Sequence, residues 1–262
     1  MAQQTQVRRV VVFYNAWLGK FPTLSALAKA SKGDVLRQWS GLGYNSRALR
    51  LHSLAQQVTA DFNGRLPRTA DELITLPGIG KYTSHAIACL AFGENVAVVD
   101  VNVRRIYSRL LWKARSARDL RTETEVWEIA EMYLPHRKAA EWNQALMDIG
   151  ALICTARDPK CGMCPVNAQC ASAFSKTFLK KSKAEKKNEP SFKGIPRRIY
   201  RGRILKALHD KPLTSQQIGR QVVDRFRQSD LKWMNRILET MEADSLITIH
   251  RMRARIKVSI AR

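Results

Sequence analysis

The sequence lacks any apolar run long enough to cross a membrane. No uninterrupted apolar stretch reaches the roughly 18 residues that a membrane helix needs, and residues 10–18, which follow Arg8 and Arg9, are broken by Asn15. No small-residue cleavage site follows that stretch, so it does not resemble a secretory signal peptide. Internal repeats are also absent, which excludes a solenoid. We therefore expect a globular cytoplasmic protein with no membrane partner.

Acidic residues are scarce. The 262 residues hold 45 Lys and Arg against 22 Asp and Glu, a formal net charge of +23. Residues 1–170 carry a net +8 and residues 171–262 a net +15, so the last third has the larger excess on about half the length. This imbalance indicates a polyanionic partner, with nucleic acid the first candidate. An anionic membrane surface or simple solubility are the alternatives.

Cysteine is scarce too, and the five cysteines are unevenly placed. Four follow the pattern Cys154-x6-Cys161-x2-Cys164-x5-Cys170, while Cys89 lies alone in an apolar segment, as a core residue would. Such clustering favours a metal or cluster site in a reducing compartment over a disulfide framework. A structural zinc site usually has two tight Cys-x2-Cys pairs. The single tight pair favours a [4Fe–4S] cluster, with zinc as the alternative.

Hydrophobic periodicity divides the chain into three parts. Residues 1–174 predict an all-α domain, with helices over 5–20, 23–30, 46–62, 69–76, 100–113, 122–134 and 138–154. Residues 175–198 are a lysine-rich linker. Residues 199–262 predict helices over 199–209, 214–224 and 230–243, then strands over 246–250 and 255–260. That order predicts a small α+β domain of the winged-helix type, so the fold class is mainly α.

Two segments of the first domain suggest chemistry. In Leu76-Pro77-Gly78-Ile79-Gly80-Lys81, Gly78 and Gly80 permit a tight turn between helices. Backbone N–H groups at the start of the next helix, helped by Lys81, would bind a phosphate without reading sequence. Twenty residues after Gly80, Asp100 follows the apolar residues Val98 and Val99. From position alone, Asp100 is a helix N-cap.

These segments together resemble the MutY-type adenine DNA glycosylases of the helix-hairpin-helix superfamily. The resemblance runs from residue 3 to about residue 170. The segments that carry it are the hairpin, the cysteine pattern, Gln3-Gln4-Thr5-Gln6-Val7, Gly41-Leu42-Gly43-Tyr44, Ser46-Arg47-Ala48, Asp100-x-Asn102-Val103 and residues 143–151. It implies a [4Fe–4S] cofactor, double-stranded DNA with a mismatched or damaged base pair as partner, and removal of adenine opposite 8-oxoguanine or guanine.

The resemblance also assigns roles to single residues. Asp100 would be the catalytic carboxylate that stabilises an oxocarbenium-like sugar and orients water, with Asn102 and Tyr82 beside it. Gln4 and Tyr44 would enter the duplex and fill the space left by the flipped base. Bifunctional relatives carry at position 82 a Lys that forms a Schiff base, so Tyr82 implies an enzyme without lyase activity. We expect a monomer that works on nucleoid DNA.

Three other departures from the family pattern leave alternatives open. The family's second catalytic carboxylate, a Glu, would fall before Met1, so the N-terminal helix appears truncated; the genomic sequence upstream would test this. Asn45 stands where a second Tyr is usual, and residues 199–262 do not resemble the MutT-like domain that reads 8-oxoguanine. A thymine or uracil mismatch glycosylase and a catalytically inactive DNA-binding relative are therefore the alternative hypotheses.

Overall fold

The computed structural model describes residues 1, 5, 7–116, 119–175, 189–252 and 255–261. The chain forms two compact units. The bipartite unit joins Met1–Arg65 to Lys187–Arg262, and the central unit comprises Leu66–Lys186. In the described part of the chain, no helix is long and apolar enough to span a bilayer.

The first part of the bipartite unit consists of four helices. These are α1 (Val7–Lys20), α2 (Leu24–Lys29), α3 (Lys32–Trp39) and α4 (Ser46–Asp61). Thr23 and Ser31 begin α2 and α3, because each side chain accepts a hydrogen bond from a backbone N–H three residues on. Helix α3 was absent from the sequence prediction. It buries Val35, Leu36 and Trp39 on one face, but its eight residues are too few to show a clear period.

The second part of the bipartite unit begins within the predicted linker. Residues 176–188 lie outside the described part of the chain. Residues 189–198, however, are structured: β1 (Ser191–Phe192) and β2 (Ile195–Pro196) form a short hairpin, and α10 (Arg197–Ala207) follows at once. The final residues of the predicted linker, 189–198, thus contain a hairpin in which Phe192 stacks on Trp233 with ring centroids 3.9 Å apart.

The remaining C-terminal elements follow the order α–β–α–α–β–β. They are α10, β3 (Leu213–Thr214), α11 (Ser215–Val222), α12 (Leu231–Ala243), β4 (Ile247–Met252) and β5 (Arg255–Ile260). Strand β5 lies between β3 and β4 in an antiparallel sheet, with Ile249 opposite Val258. A capping box formed by Thr214 and Gln217 begins α11, at the start of the predicted helix 214–224.

One apolar core joins the two parts of the bipartite unit. Its buried side chains come from the N-terminal helices, such as Trp17 and Trp39, and from the C-terminal elements, such as Tyr200 and Met234. Helix α3 contacts β5, and a Cβ on Gly33 would lie 3.4 Å from the carbonyl oxygen of Ala261. The compact units therefore differ from the predicted division at residues 174 and 199.

The central unit holds five further helices and the cysteine loop. The helices are α5 (Ala70–Leu73), α6 (Lys81–Phe92), α7 (Val101–Trp112), α8 (Glu123–Met132) and α9 (Ala139–Asp148). A π-helical turn, Ile149–Ile153, continues α9, and two 3₁₀ turns, Cys161–Met163 and Asn167–Gln169, follow it. A core that includes Val103, Ile106 and Trp127 packs α7 against α8.

Candidate active site and cluster loop

An extended segment leads the chain into Asp100, and side chains from two helices hold it. The buried Asn143 on α9 accepts a hydrogen bond from the N–H of Val98 (2.9 Å) and donates one to the carbonyl of Val96 (2.9 Å). Glu131 on α8 accepts a bond from the N–H of Ala97 (3.1 Å). Residues 96–98 thus have fixed partners although they form no sheet, and Asp100 enters α7 from a defined position.

Asp100 is the N-cap of α7. Its Oδ1 accepts hydrogen bonds from the N–H groups of Asn102 (2.8 Å) and Val103 (2.7 Å), and its Oδ2 accepts one from Nδ2 of Asn102 (2.9 Å). The predicted capping role is confirmed. The three donors hold the carboxylate in one orientation, and the positive end of the helix dipole favours its charge.

Tyr82, the second residue of α6, lies near that carboxylate. Burial, and after it the negative charge of Asp100, raise the pKa of the Tyr82 hydroxyl above its ordinary value. The hydroxyl therefore stays protonated at neutral pH, and the ring remains 40% exposed. The central unit thus brings together three predicted site residues, Asp100, Asn102 and Tyr82.

The predicted hairpin connects α5 to α6. Gly78 has φ +81°, a conformation that favours glycine, whereas Gly80 has an ordinary φ of −102° and is the N-cap of α6. A Cβ on Gly80 would meet no atom within 4 Å. Gly80 therefore leaves space in front of the first turn of α6, where a phosphate can approach the backbone N–H groups closely.

Lys81 has a more constrained position than the sequence suggested. Its Nζ lies 4.3 Å from the ring centroid of Trp127 on α8, a cation–π distance. Its carbonyl oxygen lies 2.9 Å from the Ser84 hydroxyl and 2.9 Å from Nδ1 of His85. The ammonium group of Lys81 is thus held against α8 at the beginning of the helix that the hairpin leads into.

Arg105 on α7 connects the Asp100 site to the cysteine loop. Its NH1 donates to Oδ1 of Asn102 (2.9 Å), its NH2 to the carbonyl of Gly150 (2.8 Å) and its Nε to the carbonyl of Cys154 (2.9 Å). A Cβ on Gly150 would lie 2.7 Å from Cβ of Asn102, so the π-helical turn approaches α7 there as only glycine allows.

The four clustered cysteines line one cavity with about 330 Å³ of space not filled by atoms, part of it open to solvent. None of them forms a disulfide. The buried Arg109, one turn after Arg105, donates to Sγ of Cys154 (3.3 Å) and to the carbonyls of Thr155 (2.7 Å) and Ala156 (2.9 Å). A buried cation thus faces a set of thiols.

This donor set fits an iron–sulfur cluster. Burial raises the pKa of the Cys170 thiol, and the charges of the other three cysteines add to that rise, so four thiolates need cationic metal to balance them. Among the described residues, no three His, Cys, Asp or Glu side chains converge closely enough for a single metal ion. Four thiols around one cavity match a cluster in which each iron takes one thiolate.

Two predicted DNA contacts belong to the bipartite unit. Gln4 lies outside the described part of the chain. Tyr44 follows Gly41 and Gly43, both at positive φ, and itself has φ +47°; its side chain is 60% exposed. The guanidinium carbon of Arg47 lies 5.5 Å from the Tyr44 ring centroid and 5.3 Å from that of Trp39. The loop thus presents an aromatic ring to solvent from a fixed backbone.

Comparison with known proteins decides the family. The profile of the HhH-GPD superfamily of base excision DNA repair proteins matches residues 1–132, and that of the iron–sulfur binding domain of endonuclease III matches residues 154–170. The chain is 38% identical over 251 residues to an adenine DNA glycosylase of Mycobacterium tuberculosis, covering 95% of this chain and 79% of that protein. This chain belongs to the adenine DNA glycosylase family. Its members are base-excision N-glycosylases, so the chain is a DNA N-glycosylase with an iron–sulfur cofactor.

A further relative and two solved structures are also similar to this chain. The human adenine DNA glycosylase is 41% identical over 171 residues, which cover 65% of this chain and 31% of the human protein. Among solved structures, a thermostable thymine-DNA glycosylase is 32% identical, with a TM-score of 0.59 over 65% of this chain and 79% of that one. Endonuclease III trapped on DNA, 24% identical, has a TM-score of 0.58 over 66% and 79% and shows the same fold.

Sequence reasoning missed the residues that support the site. Asn143 and Gly150 belong to a segment used only for the family resemblance, and Arg105 was not assigned a role. One signal was available: Arg105 and Arg109 are four residues apart and therefore lie on one face of a helix. Their targets, carbonyl groups in the cysteine loop, cannot be deduced from spacing.

Proposed function

We propose that this glycosylase removes adenine paired with 8-oxoguanine or guanine from duplex DNA. The observation that carries the proposal is the Asp100 carboxylate, fixed by three hydrogen bonds beside Tyr82 and Asn102 in a chain of the adenine DNA glycosylase family. Asn102 from α7 and Tyr82 from α6 lie beside this carboxylate.

Asp100 stabilises positive charge on the sugar. As the bond between C1′ and the base nitrogen breaks, its electron pair leaves with the base, which gains a proton, and the sugar becomes oxocarbenium-like. A carboxylate already held by Asn102 and Val103 needs no reorganisation to face that charge. Water then adds to C1′ and loses a proton, which leaves an abasic sugar in an intact strand.

The hairpin and Tyr44 hold the DNA. Backbone N–H groups after Gly78 and Gly80 bind a phosphate, and Lys81 supplies positive charge near that position. The exposed ring of Tyr44 enters the duplex where the adenine leaves the stack. The family resemblance assigns the same role to Gln4. None of these contacts reads the sequence, so they suit an enzyme that must inspect every position.

The enzyme works without lyase activity. A Schiff base needs an amine at the sugar, and position 82 carries the phenol of Tyr82 instead. The neighbouring Lys81 directs its ammonium group to the ring of Trp127, 4.3 Å away. Excision therefore ends at the abasic site.

Cys154, Cys161, Cys164 and Cys170 hold the [4Fe–4S] cluster. When bound, the cluster cross-links a loop that has little apolar core of its own. Arg109 and Arg105 then hold that loop against α7, the helix that Asp100 caps. Hydrogen bonds from Arg105 and Arg109 thus connect the cysteine loop to the helix that Asp100 caps. The cluster needs no part in the reaction for this connection to support the site.

A thymine or uracil mismatch glycosylase is the second candidate. One observation favours it: a thymine-DNA glycosylase is 32% identical with the same fold. Tyr82 is compatible with both activities. The adenine assignment is preferred because the identity of 38% to an adenine DNA glycosylase extends over 95% of this chain.

Single-turnover excision on four duplexes tests the assignment. The duplexes carry A:8-oxoguanine, A:G, T:G and U:G, and Asp100→Asn serves as the inactive control. Faster excision from the two adenine duplexes is the expected result. Faster excision from T:G or U:G would support the second candidate, and binding without excision on all four would indicate an inactive DNA-binding relative.

Light scattering during the same preparation tests our expectation that the enzyme is a monomer, acting on nucleoid DNA.

A further inference from the structure

The C-terminal part of the bipartite unit has more positive charge than its own carboxylates can balance. Residues 189–262 hold 17 Lys and Arg against 7 Asp and Glu. Four ion pairs there use four of the carboxylates: Lys193–Asp230, Arg198–Glu189, Arg201–Asp244 and Arg251–Glu242. The unbalanced cations are therefore available to an external anion.

Three unbalanced arginines surround one open cleft of about 810 Å³. Arg203 comes from α10, Arg220 from the last turn of α11, and Arg225 from the turn between α11 and α12. All three are exposed, and within the described residues none lies within 4 Å of a carboxylate. Arg203 is held in place, since its NH1 donates to the carbonyl of Val222 (3.2 Å).

The turn that carries Arg225 is fixed by two contacts. The Nζ of Lys193, from the β1–β2 hairpin, donates to the carbonyls of Asp224 (3.3 Å) and Arg225 (3.1 Å) and to Oδ2 of Asp230 (2.7 Å). The ring of Phe226 packs so closely on Gly219 that a Cβ there would lie 2.3 Å from it. The three guanidinium groups therefore project from a preorganised surface rather than from a mobile loop.

We infer that this cleft, bounded by Arg203, Arg220 and Arg225, binds the phosphodiester backbone of duplex DNA without reading its sequence. Guanidinium groups on separate elements suit successive phosphates along a strand. The outward face of α12, which would enter a groove in a sequence-reading protein, carries the carboxylate of Glu239 beside Lys232 and Arg236. A backbone contact is therefore favoured over base readout.

The inference extends the proposed function, because it gives the DNA substrate a second contact apart from the Asp100 site. This second contact would keep the enzyme bound to undamaged DNA between lesions. Undamaged duplex is therefore the probe, and no excision is needed to detect binding. If the cleft does not bind DNA, the proposed excision reaction is unaffected. If the four duplexes show no excision, binding of undamaged DNA to the cleft can still be tested.

The test compares two charge-matched variants of the full-length protein. Arg220→Gln/Arg225→Asn removes two charges from the cleft, with Asn at position 225 because Asn tolerates φ +49°. Lys206→Gln/Lys211→Gln removes two exposed charges outside the cleft. Binding to an undamaged duplex is measured by fluorescence anisotropy over a range of salt concentrations. Each neutralised phosphate contributes about −0.9 to the slope of log binding constant against log salt concentration. The slope for the cleft variant should therefore be shallower by about 1 to 2, whereas the slope for the control variant should not change.

Two further variants distinguish a loss of DNA binding from a loss of folding. Arg220→Lys/Arg225→Lys keeps the charge and should keep the slope. Asp224→Asn removes the carboxylate that also lines the cleft and should tighten binding to undamaged DNA several-fold. Equal slopes for the cleft and control variants, with no gain from Asp224→Asn, would overturn the inference. The cleft would then be general surface charge or a site for an acidic protein.

Discussion

The carboxylate of Asp100 accepts three hydrogen bonds from its own helix, two from the backbone N–H groups of Asn102 and Val103 and one from the Asn102 side chain. The same residue therefore begins α7 and presents a fixed negative charge. An amide in its place can still accept hydrogen bonds from N–H groups but has no charge to offer. Structure and catalysis can be separated at this position by a single substitution.

Asp100→Asn should abolish excision and preserve DNA binding. Loss of one preorganised charged group should lower the single-turnover rate by about 10² to 10³-fold or more. Anisotropy on the same lesion duplex should show nearly unchanged affinity, and thermal unfolding should show little change. Full activity in this variant would mean that the catalytic carboxylate lies elsewhere in the chain.

Tyr82→Lys should introduce strand-nicking activity. The substitution places an amine where bifunctional relatives carry one, so attack on the sugar forms a Schiff base that borohydride reduces to a stable adduct. The wild-type protein should give no adduct and should leave an abasic site that breaks only in alkali. An adduct with the wild type in good yield would contradict the proposed absence of lyase activity.

Gly150→Ala should impair excision while the cluster remains intact. The new methyl group would lie 2.7 Å from Cβ of Asn102, the residue that donates to Asp100, so the turn or α7 must shift at an overpacking cost of about 1–3 kcal/mol. Gly162→Ala, in the cysteine loop, is the matched control, because a Cβ there meets no atom within 4 Å. If both variants cut adenine at the wild-type rate, the close approach of the π-helical turn to α7 does not matter for catalysis.

Elements show where sequence reasoning succeeds and where it fails. Helix starts were predictable, since the helices predicted over 69–76 and 214–224 begin at Thr69 and Thr214, which cap α5 and α11. The predicted helix over 138–154 ends differently: α9 stops at Asp148 and a π-helical turn continues to Ile153. The widened turn brings Gly150 against Asn102, a tertiary contact that hydrophobic periodicity does not encode.

The cysteine loop is the element most dependent on its cofactor. Cys154→Ser should remove one iron ligand, lower the iron content and the visible thiolate-to-iron absorbance, and reduce the thermal stability of the central unit. Cys89→Ser is the control: Cys89 lies in α6 outside the cysteine loop, with its Sγ 3.3 Å from Nδ2 of Asn143, and the substitution should leave the absorbance unchanged. Metal analysis that found about one zinc and no iron in the wild type would exclude the cluster.

At the scale of the whole molecule, composition and motifs identified the class but not the division into units. The charge excess after residue 170 and the predicted helix order suggested an appended domain. The contacts instead join residues 187–262 to residues 1–65, with one core that contains both Trp39 and Tyr200. Pairings between segments so far apart in the chain leave no local pattern in the sequence, so only the structure reveals them.

A chain ending at residue 174 should therefore lose more than a DNA contact. Truncation removes the partners of α3 and of the buried N-terminal side chains, each worth about 1.5–3 kcal/mol when fully buried. Limited proteolysis should cleave residues 7–61 rapidly in the truncated protein and slowly in the full chain. Equal protection in both proteins would show that the N-terminal helices fold without residues 187–262.

The bipartite unit has a consequence for the order of events on the ribosome. Its first 65 residues emerge early, but their partners begin only at residue 187. At about 5–20 residues per second, synthesis of the intervening segment takes roughly 6 to 24 s. At the end of that time the central unit has its whole sequence available, while Trp17, Phe21 and Trp39 still lack most of their core. The N-terminal helices are thus the part of the nascent chain most exposed to chaperones and proteases. They are synthesised first, but they complete their core only after residues 187–262 have been made.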